Sequence, residues 1–228
     1  MPRQGVITSR AGGRSAPPYD ENNLALHVGD DPQAVAANRQ ALASQLGVDR
    51  VQFMHQVHGT AVAVVEDSAP DDVAGADALV TPTRGVAIAV LVADCVPVAL
   101  LGESAVAVVH AGRRGVVGGV VPAAVAAMRR FDGGRIFARI GPSICGRCYE
   151  VPAAMHDDFV AALPAASATT AAGTPGLDLP AAVRAQLADA GVTVIQSPHV
   201  CTREDGRYYS HRRDGVTGRF AMAAMLTG

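Results

Sequence analysis

Lysine is absent from this chain of 228 residues, and all 19 of its Lys-or-Arg positions are arginine. A protein without lysine forms no Schiff base of its own and offers no P-loop lysine to a triphosphate, so whole classes of enzyme drop out. Excess positive charge is missing too. The formal net charge is -2 and no basic run occurs, which removes the field that nucleic acid or an anionic membrane surface would need. Cysteine is scarce. The residues at 95, 145, 148 and 201 are too few and too unevenly spaced for a secreted disulfide framework. The N-terminus, MPRQGVITSR, lacks the apolar core of a signal peptide, and Asp94 breaks the longest apolar run before it could span a bilayer. We expect a reduced, cytoplasmic, globular protein with no nucleic-acid and no membrane partner.

What is present converges on the stretch Val86–Val121. Its apolar run Val86–Val92 reads as a buried strand, and Asp94 interrupts the pattern just before Cys95. If Gly102-Glu103 is a two-residue turn, with glycine first as a type II′ turn prefers, Leu101 pairs with Ser104 and the register carries back to Cys95 facing His110. Directly opposed side chains lie about 4.5–5.5 Å apart at Cβ, close enough to share one metal ion or to act as a nucleophile and its base. After His110 comes Ala-Gly-Arg-Arg-Gly and then a helical stretch from about Val116 to Arg130, a strand-to-helix turn suited to an anion.

Elsewhere, Gly5–Arg10 reads as a short strand followed by a long turn-rich loop. Asp31-Pro32 opens a helix as N-cap and first residue, and Gly47 closes it. Val51–Met54 and Ala61–Val65 are expected strands on either side of HQVHGT. Residues 135–140 form another strand, Pro152 opens a short helix, and Pro164–Gly176 has the composition of a mobile loop. Asp178–Ala190 is a helix stopped by Gly191, Val192–Gln196 a strand, and the chain ends in a helix from about Gly218. The segment after residue 176 is too short for an independent core, so 1–228 is expected to be a single domain.

His58, Cys95 and His110 would give zinc two imidazoles and a thiolate, with a fourth position open for water or substrate. The same donors suit copper, with Met54 as a conceivable axial ligand, but seven scattered histidines are a poor basis for multicopper oxidation. His55, three residues before His58, competes for the same role. Cys145-Gly-Arg-Cys148 has redox or zinc spacing, with His199 and Cys201 as conceivable partners, but a lone C-x-x-C is weak and we expect no redox centre there. Arg10, Arg113, Arg114, Arg212 and Arg213 can recognise phosphate bidentately, beside tyrosines able to stack on a heterocycle.

The motifs NLALHVGDDP, QVHGT, ADALVT, ADCVPV, HAGRRG, IGPSICGRCYEV and YYSHRRDG, in that order and over nearly the whole chain, resemble the laccase-domain family, also called the polyphenol oxidase or peptidoglycan editing factor family. That resemblance implies an α/β fold, a four-layer α/β/β/α sandwich shared with toxin deamidases that use a Cys/His hydrolase pair. It implies a purine nucleoside phosphorylase acting on adenosine, inosine and methylthioadenosine with phosphate, and deaminating adenosine. By the same resemblance His58 takes precedence over His55, and the catalytic and metal set falls on His58, Cys95 and His110 with Zn2+ (or Cu2+). The family's C-terminal arginine falls on Arg213. Beside what the resemblance implies, we expect Arg10, Arg114 and Tyr149 as further substrate contacts. The alternatives are a metal-free Cys/His hydrolase and a copper-dependent polyphenol oxidase. Arg113 stands where the family usually has Trp, and NLA and GPSI replace NLG and GPCI, which leaves the ligands intact and bears on base stacking.

Overall fold

The computed structural model describes residues 3–226. In chain order the elements are β1 (Arg3–Ile7), α1 (Pro32–Leu46), β2 (Val51–Gln52), β3 (Met54–His55), β4 (Val62–Val64), β5 (Val73–Ala74), β6 (Ala78–Thr81), β7 (Ala87–Val92), β8 (Val96–Leu101) and β9 (Val106–Ala111). There follow α2 (Arg113–Gly118), α3 (Val120–Arg129), β10 (Phe137–Ile140), α4 (Ala153–Ala162), β11 (Ser167–Thr169), β12 (Pro175–Leu177), α5 (Leu179–Asp189), β13 (Thr193–Val194), α6 (His211–Asp214) and β14 (Phe220–Leu226).

Two sheets dominate, with strand orders β1-β14-β7-β2 and β13-β10-β8-β9-β6-β4. Strand alternation fixes how they stack. On β7, Ala87, Ala89 and Leu91 pack with Leu42, Ala43 and Leu46 of α1, whereas Ile88, Val90 and Val92 pack with Leu79, Ala99 and Val108 of the second sheet. The opposite face of the second sheet, including Val80, Val98 and Val109, meets Val121 and Ala124 of α3 and Val183 and Leu187 of α5. Helix, sheet, sheet and helix thus form the expected α/β/β/α order. Because the central strands are covered on both faces, they read as continuous apolar runs, and each fully buried Val or Leu contributes roughly 1.5–3 kcal/mol of transfer free energy. Among the described residues no helix is long and apolar enough to cross a membrane.

Local signals account for α1. Asp31 accepts a hydrogen bond from the Gln33 amide, Pro32 follows, and Gly47 caps the C-terminus with φ 72°. Four other expectations change. The C-terminal segment FAMAAML is not a helix but strand β14, buried throughout between β1 and β7. Its Ala and Met favour a helix in isolation, and sheet packing on both faces overrides that preference. Residues 164–176 hold a one-turn 3₁₀ helix and the β11–β12 hairpin, with Thr170 and Thr174 bonded to each other at 2.6 Å, in place of a mobile loop. The long helix after His110 is divided at Gly119, whose φ of 87° ends α2 and begins α3.

The β8–β9 hairpin is the fourth. Leu101 pairs with Val106 and Gly102 donates to the Ala105 carbonyl, so Glu103-Ser104 is the turn and the register is displaced by two residues. Gly102 serves close packing, since a Cβ there would collide with Asp132 and Met128. Asp132 is buried and accepts from the amides of Ser104 (2.7 Å) and Gly134 (2.9 Å). Burial alone would raise its pKa, but those amide donors outweigh it and hold the carboxyl below its ordinary value. A depressed folded-state pKa contributes stability above the unfolded value and loses it as pH falls through the folded one. Asp132→Ala should therefore cost about 1–3 kcal/mol at neutral pH. The difference from the parent should shrink below about pH 4. Urea unfolding at two pH values checks both, and a pH-independent difference would reject the charged-carboxylate account.

Candidate active site

His58, Cys95 and His110 come from three places in sequence and meet at one end of the second sheet. Their ligand-capable atoms all lie within 4.8 Å of one another, with Cys95 Sγ 3.9 Å from His58 Nε2 and the two imidazoles edge to face at 4.7 Å between centroids. The displaced hairpin register puts Pro97 opposite His110. A shift of two residues preserves which face a side chain occupies, so Cys95 becomes a diagonal neighbour of His110 on the expected side. Gly112 then sits where a side chain would fill the centre. A Cβ there would lie 2.8 Å from His58 Cδ2, 3.2 Å from Cys95 Sγ and 3.4 Å from His110 Cε1.

Asp77, which the sequence reading passed over, holds the site together. Its Oδ1 accepts from the His58 amide (2.9 Å) and lies 2.8 Å from His110 Nδ1, while Oδ2 accepts from the Gly59 (2.7 Å) and Val57 (3.3 Å) amides. His58 needs this support, because its φ of 59° is left-handed. Asp94 is left-handed too, at φ 91°, and is held by Thr202 Oγ1 (2.6 Å) and the Arg212 amide (2.7 Å) on its carboxylate and the Ile144 amide (3.0 Å) on its carbonyl. Such strain, about 1–3 kcal/mol per residue, persists only where surrounding bonds over-determine it.

The electrostatics of half-buried Cys95 and buried His110 follow from these contacts. Burial would raise the Cys95 thiol, but the His110 and His58 imidazoles bring it below its ordinary value. Burial would lower His110, but the Cys95 sulfur and Asp77 raise it. Asp77, raised by burial, is carried below its ordinary value by His110 and the Gly59 and Val57 amides. A thiolate oriented by two imidazoles is both a metal ligand and a nucleophile. With Asp77 behind His110 Nδ1, the other ring nitrogen is left for a ligand.

Above the cluster opens a cavity of about 400 Å³, lined by His58, Cys95 and His110 together with Arg113, Tyr149, Arg212, Arg219, His27 and Gln56, among others. Gln56 ties this wall down by exchanging two hydrogen bonds with the Leu91 backbone (2.8 and 2.9 Å). The Arg212 guanidinium lies over the Tyr149 ring at 5.1 Å. Arg219 donates to the carbonyls of Thr217 and Gly218, and its pKa is lowered by burial.

Of the expected substrate contacts, Tyr149 lines this cavity and three arginines do not. Arg213 uses its fork on its own loop, donating to the carbonyls of Thr202 (2.7 Å) and Tyr208 (2.9 Å) and to the Asp214 carboxylate. Arg10 pairs with Asp20 at 3.0 Å and lies over Tyr209, and Arg114 is exposed outside the cavity. His55 is also set apart, stacked edge to face on His27 at 6.5 Å. Burial and the neighbouring Cys145 and Cys201 push the Cys148 thiol up to about 12, the reverse of what a cycling C-x-x-C requires.

The donor set fits one metal ion. Among the described residues only His58 and His110 join Cys95, which is too few imidazoles for a multicopper array. Comparison with known proteins agrees on the fold and names an activity for the relatives. The purine nucleoside phosphorylase SCO2081 of Streptomyces coelicolor is 54% identical over 222 residues, covering 94% of this chain and 92% of the relative. The purine nucleoside phosphorylase Rv2149c of Mycobacterium tuberculosis is 50% identical, covering 95% and 89%. The crystal structures of NMB0706 from Neisseria meningitidis and YlmD from Geobacillus stearothermophilus superpose with TM-scores of 0.90 and 0.89 at 36% and 32% identity, each over 99% of this chain and over 95% and 92% of theirs. Residues 4–227 match the family described as multi-copper polyphenol oxidoreductase laccase, and the chain belongs to that family.

Proposed function

We propose that this chain is a zinc-dependent purine nucleoside phosphorylase that cleaves adenosine, inosine and methylthioadenosine with phosphate and deaminates adenosine as a side reaction. The observation that carries the reading is one cavity holding the His58/Cys95/His110 cluster, a tyrosine and three arginines. The names of the relatives support it. Zinc at the three donors would supply a Lewis acid with an open position, able to polarise a substrate oxygen or activate water. Four free thiols support a reducing, cytoplasmic setting.

The chain's own residues do the rest. Breaking an N-glycosidic bond builds positive charge on ribose and negative charge on the departing purine, so a bound phosphate near the sugar is favoured in the transition state. Arg113, Arg212 and Arg219 take over the role expected of Arg213 and Arg114. Arg219 is the strongest of them, since it is largely removed from water and has no ion pair among the described residues. Tyr149, with Arg212 on its ring, offers a flat amphipathic surface to the nucleoside.

The test is release of hypoxanthine from inosine by the purified protein with and without phosphate, alongside ammonia release from adenosine. Base release that needs phosphate is expected, and its absence rejects the reading. Arg219→Ala should lower phosphorolytic kcat/KM at least about tenfold, equivalent to roughly 1.4 kcal/mol. The loss should appear mainly in the KM for phosphate and spare deamination, which uses water. Equal losses in both reactions would move Arg219 from phosphate to nucleoside binding.

One observation favours a second reading. Cys95, His110 and Asp77 follow one another as nucleophile, base and orienting carboxylate, so a metal-free hydrolase is chemically complete. Purified protein that holds no metal at this cluster, and whose Cys95 is alkylated rapidly by iodoacetamide, would favour it.

A further inference from the structure

The fold brings a second donor cluster together outside the cavity. Cys145, Cys148, Cys201 and Glu204 place their ligand atoms within 4.8 Å of one another. The four residues come from two turns of the same design. In Cys145-Gly146-Arg147-Cys148 the amide of Cys148 donates to the Cys145 carbonyl at 3.0 Å, and in Cys201-Thr202-Arg203-Glu204 the amide of Glu204 donates to the Cys201 carbonyl at 3.2 Å. Each turn presents donors at its first and fourth positions, the spacing at which thiolate zinc sites are built. The turns are held face to face by a parallel bridge at Ser143 and Cys201, whose amide bonds run Ser143 N to Val200 O at 3.1 Å and Thr202 N to Ser143 O at 3.1 Å.

We infer that these four residues form a second metal site, closed and structural, that takes one zinc ion through three thiolates and a carboxylate. A tetrahedral ion with Zn–S bonds of about 2.3 Å needs sulfurs roughly 3.8 Å apart, so the cluster closes on an ion with small movements of side chains. The Cys145 amide already donates to Cys201 Sγ at 3.4 Å, and Cys148 Sγ lies 3.5 Å from Glu204 Oε1, so each turn is in direct contact with the other at its donor atoms. Cys148 and Cys201 are buried and Glu204 is exposed, which leaves an entry path on the carboxylate side. Four protein donors leave no open position, in contrast to the three in the cavity.

Its place in the fold assigns its task. The first turn runs directly into Tyr149, and Thr202 within the second bonds the strained Asp94 next to Cys95. Without an ion these two loops are joined by a few hydrogen bonds and by the small buried cluster of Ile144, Cys148 and Cys201. An ion across them fixes the wall of the cavity that carries Tyr149 and Asp94.

The test counts metal in wild-type protein kept reduced and in three variants. Wild type should bind about two zinc ions per chain after reconstitution. His58→Ala/His110→Ala should retain one, held at the thiolate cluster, and its cobalt form should show the sulfur-to-metal absorption of three thiolates. Cys145→Ser/Cys148→Ser should lose that ion and keep the other. Glu204→Gln, at the exposed position, should shed its zinc to a chelator faster than the parent. The inference is overturned if reduced His58→Ala/His110→Ala protein takes up neither zinc nor cobalt. It is equally overturned if alkylation-trapped protein carries a disulfide among Cys145, Cys148 and Cys201, or if Glu204→Gln retains zinc as the parent does. Because the first variant leaves the cluster untouched, failure of the cysteine variant to fold changes none of these outcomes.

Discussion

Gly112→Ala is expected to lower kcat/KM by about 100-fold while the fold stays intact, the scale on which a misplacement of about 1 Å acts at a reacting centre. The backbone does not object to the change. Gly112 has φ -77° and ψ 164°, an extended conformation that alanine adopts freely, so the whole effect comes from the added methyl group. That group would meet His58 at 2.8 Å, below any ordinary carbon contact, with Cys95 and His110 close behind. His110 cannot yield, because it is buried in β9 and bound to Asp77. His58, exposed on its loop, must move. The metal content of the cavity site should fall with activity, and the melting temperature should stay within a few degrees of the parent. Unchanged activity and metal in Gly112→Ala would show that the three donors do not act at the distances described.

Only some of this was legible in the sequence, and the division has physical causes. The α1 helix was readable because its caps are local, with Asp31, Pro32 and Gly47 each acting within a turn of its own position. Strands β7, β8 and β9 were readable because burial on both faces leaves unbroken apolar runs. Pairing of Cys95 with His110 survived a wrong turn assignment because a two-residue slip conserves parity, whereas a one-residue slip would have sent them to opposite faces. Strand β14 was hidden because Ala, Met and Leu carry helix propensity, and only its neighbours β1 and β7 make it a strand. The arginines were the least legible. Arg212 and Arg213 are adjacent, yet one lines the cavity and the other bonds its own loop, and that depends on the course of residues 200–214, not on residue type. Arg219, seven residues after Arg212, carried no signal beyond a glycine before it.

Asp77→Asn should be the most destabilising substitution outside the three donors. The carboxylate accepts four hydrogen bonds, two on each oxygen, and asparagine can accept on one side only. With the amide nitrogen at the Oδ2 position, the Val57 and Gly59 amides lose their acceptor and the loop that holds His58 at a left-handed φ is released. With the nitrogen at the Oδ1 position, the His58 amide is orphaned. His110 Nδ1 must then act as the acceptor, which moves its proton to the nitrogen that faces the site. Either orientation disables a donor. Removing one partner of a buried, hydrogen-bonded charge typically costs about 3–5 kcal/mol. For a chain of this size that corresponds to a fall in melting temperature of roughly 6–20 °C. Outer-sphere carboxylates of this kind typically contribute about 10- to 100-fold to metal affinity or activity, so kcat/KM measured well below the melting temperature should fall by that much. The thiolate cluster inferred above provides an internal control, since the hydrogen bonds of the Asp77 side chain run to Val57, His58, Gly59 and His110 and not to Cys145, Cys148, Cys201 or Glu204. Loss of metal confined to the cavity site is the expected result. If Asp77→Asn melts lower but retains its cavity metal and its turnover, Asp77 supports the loop alone and does not set the protonation of His110.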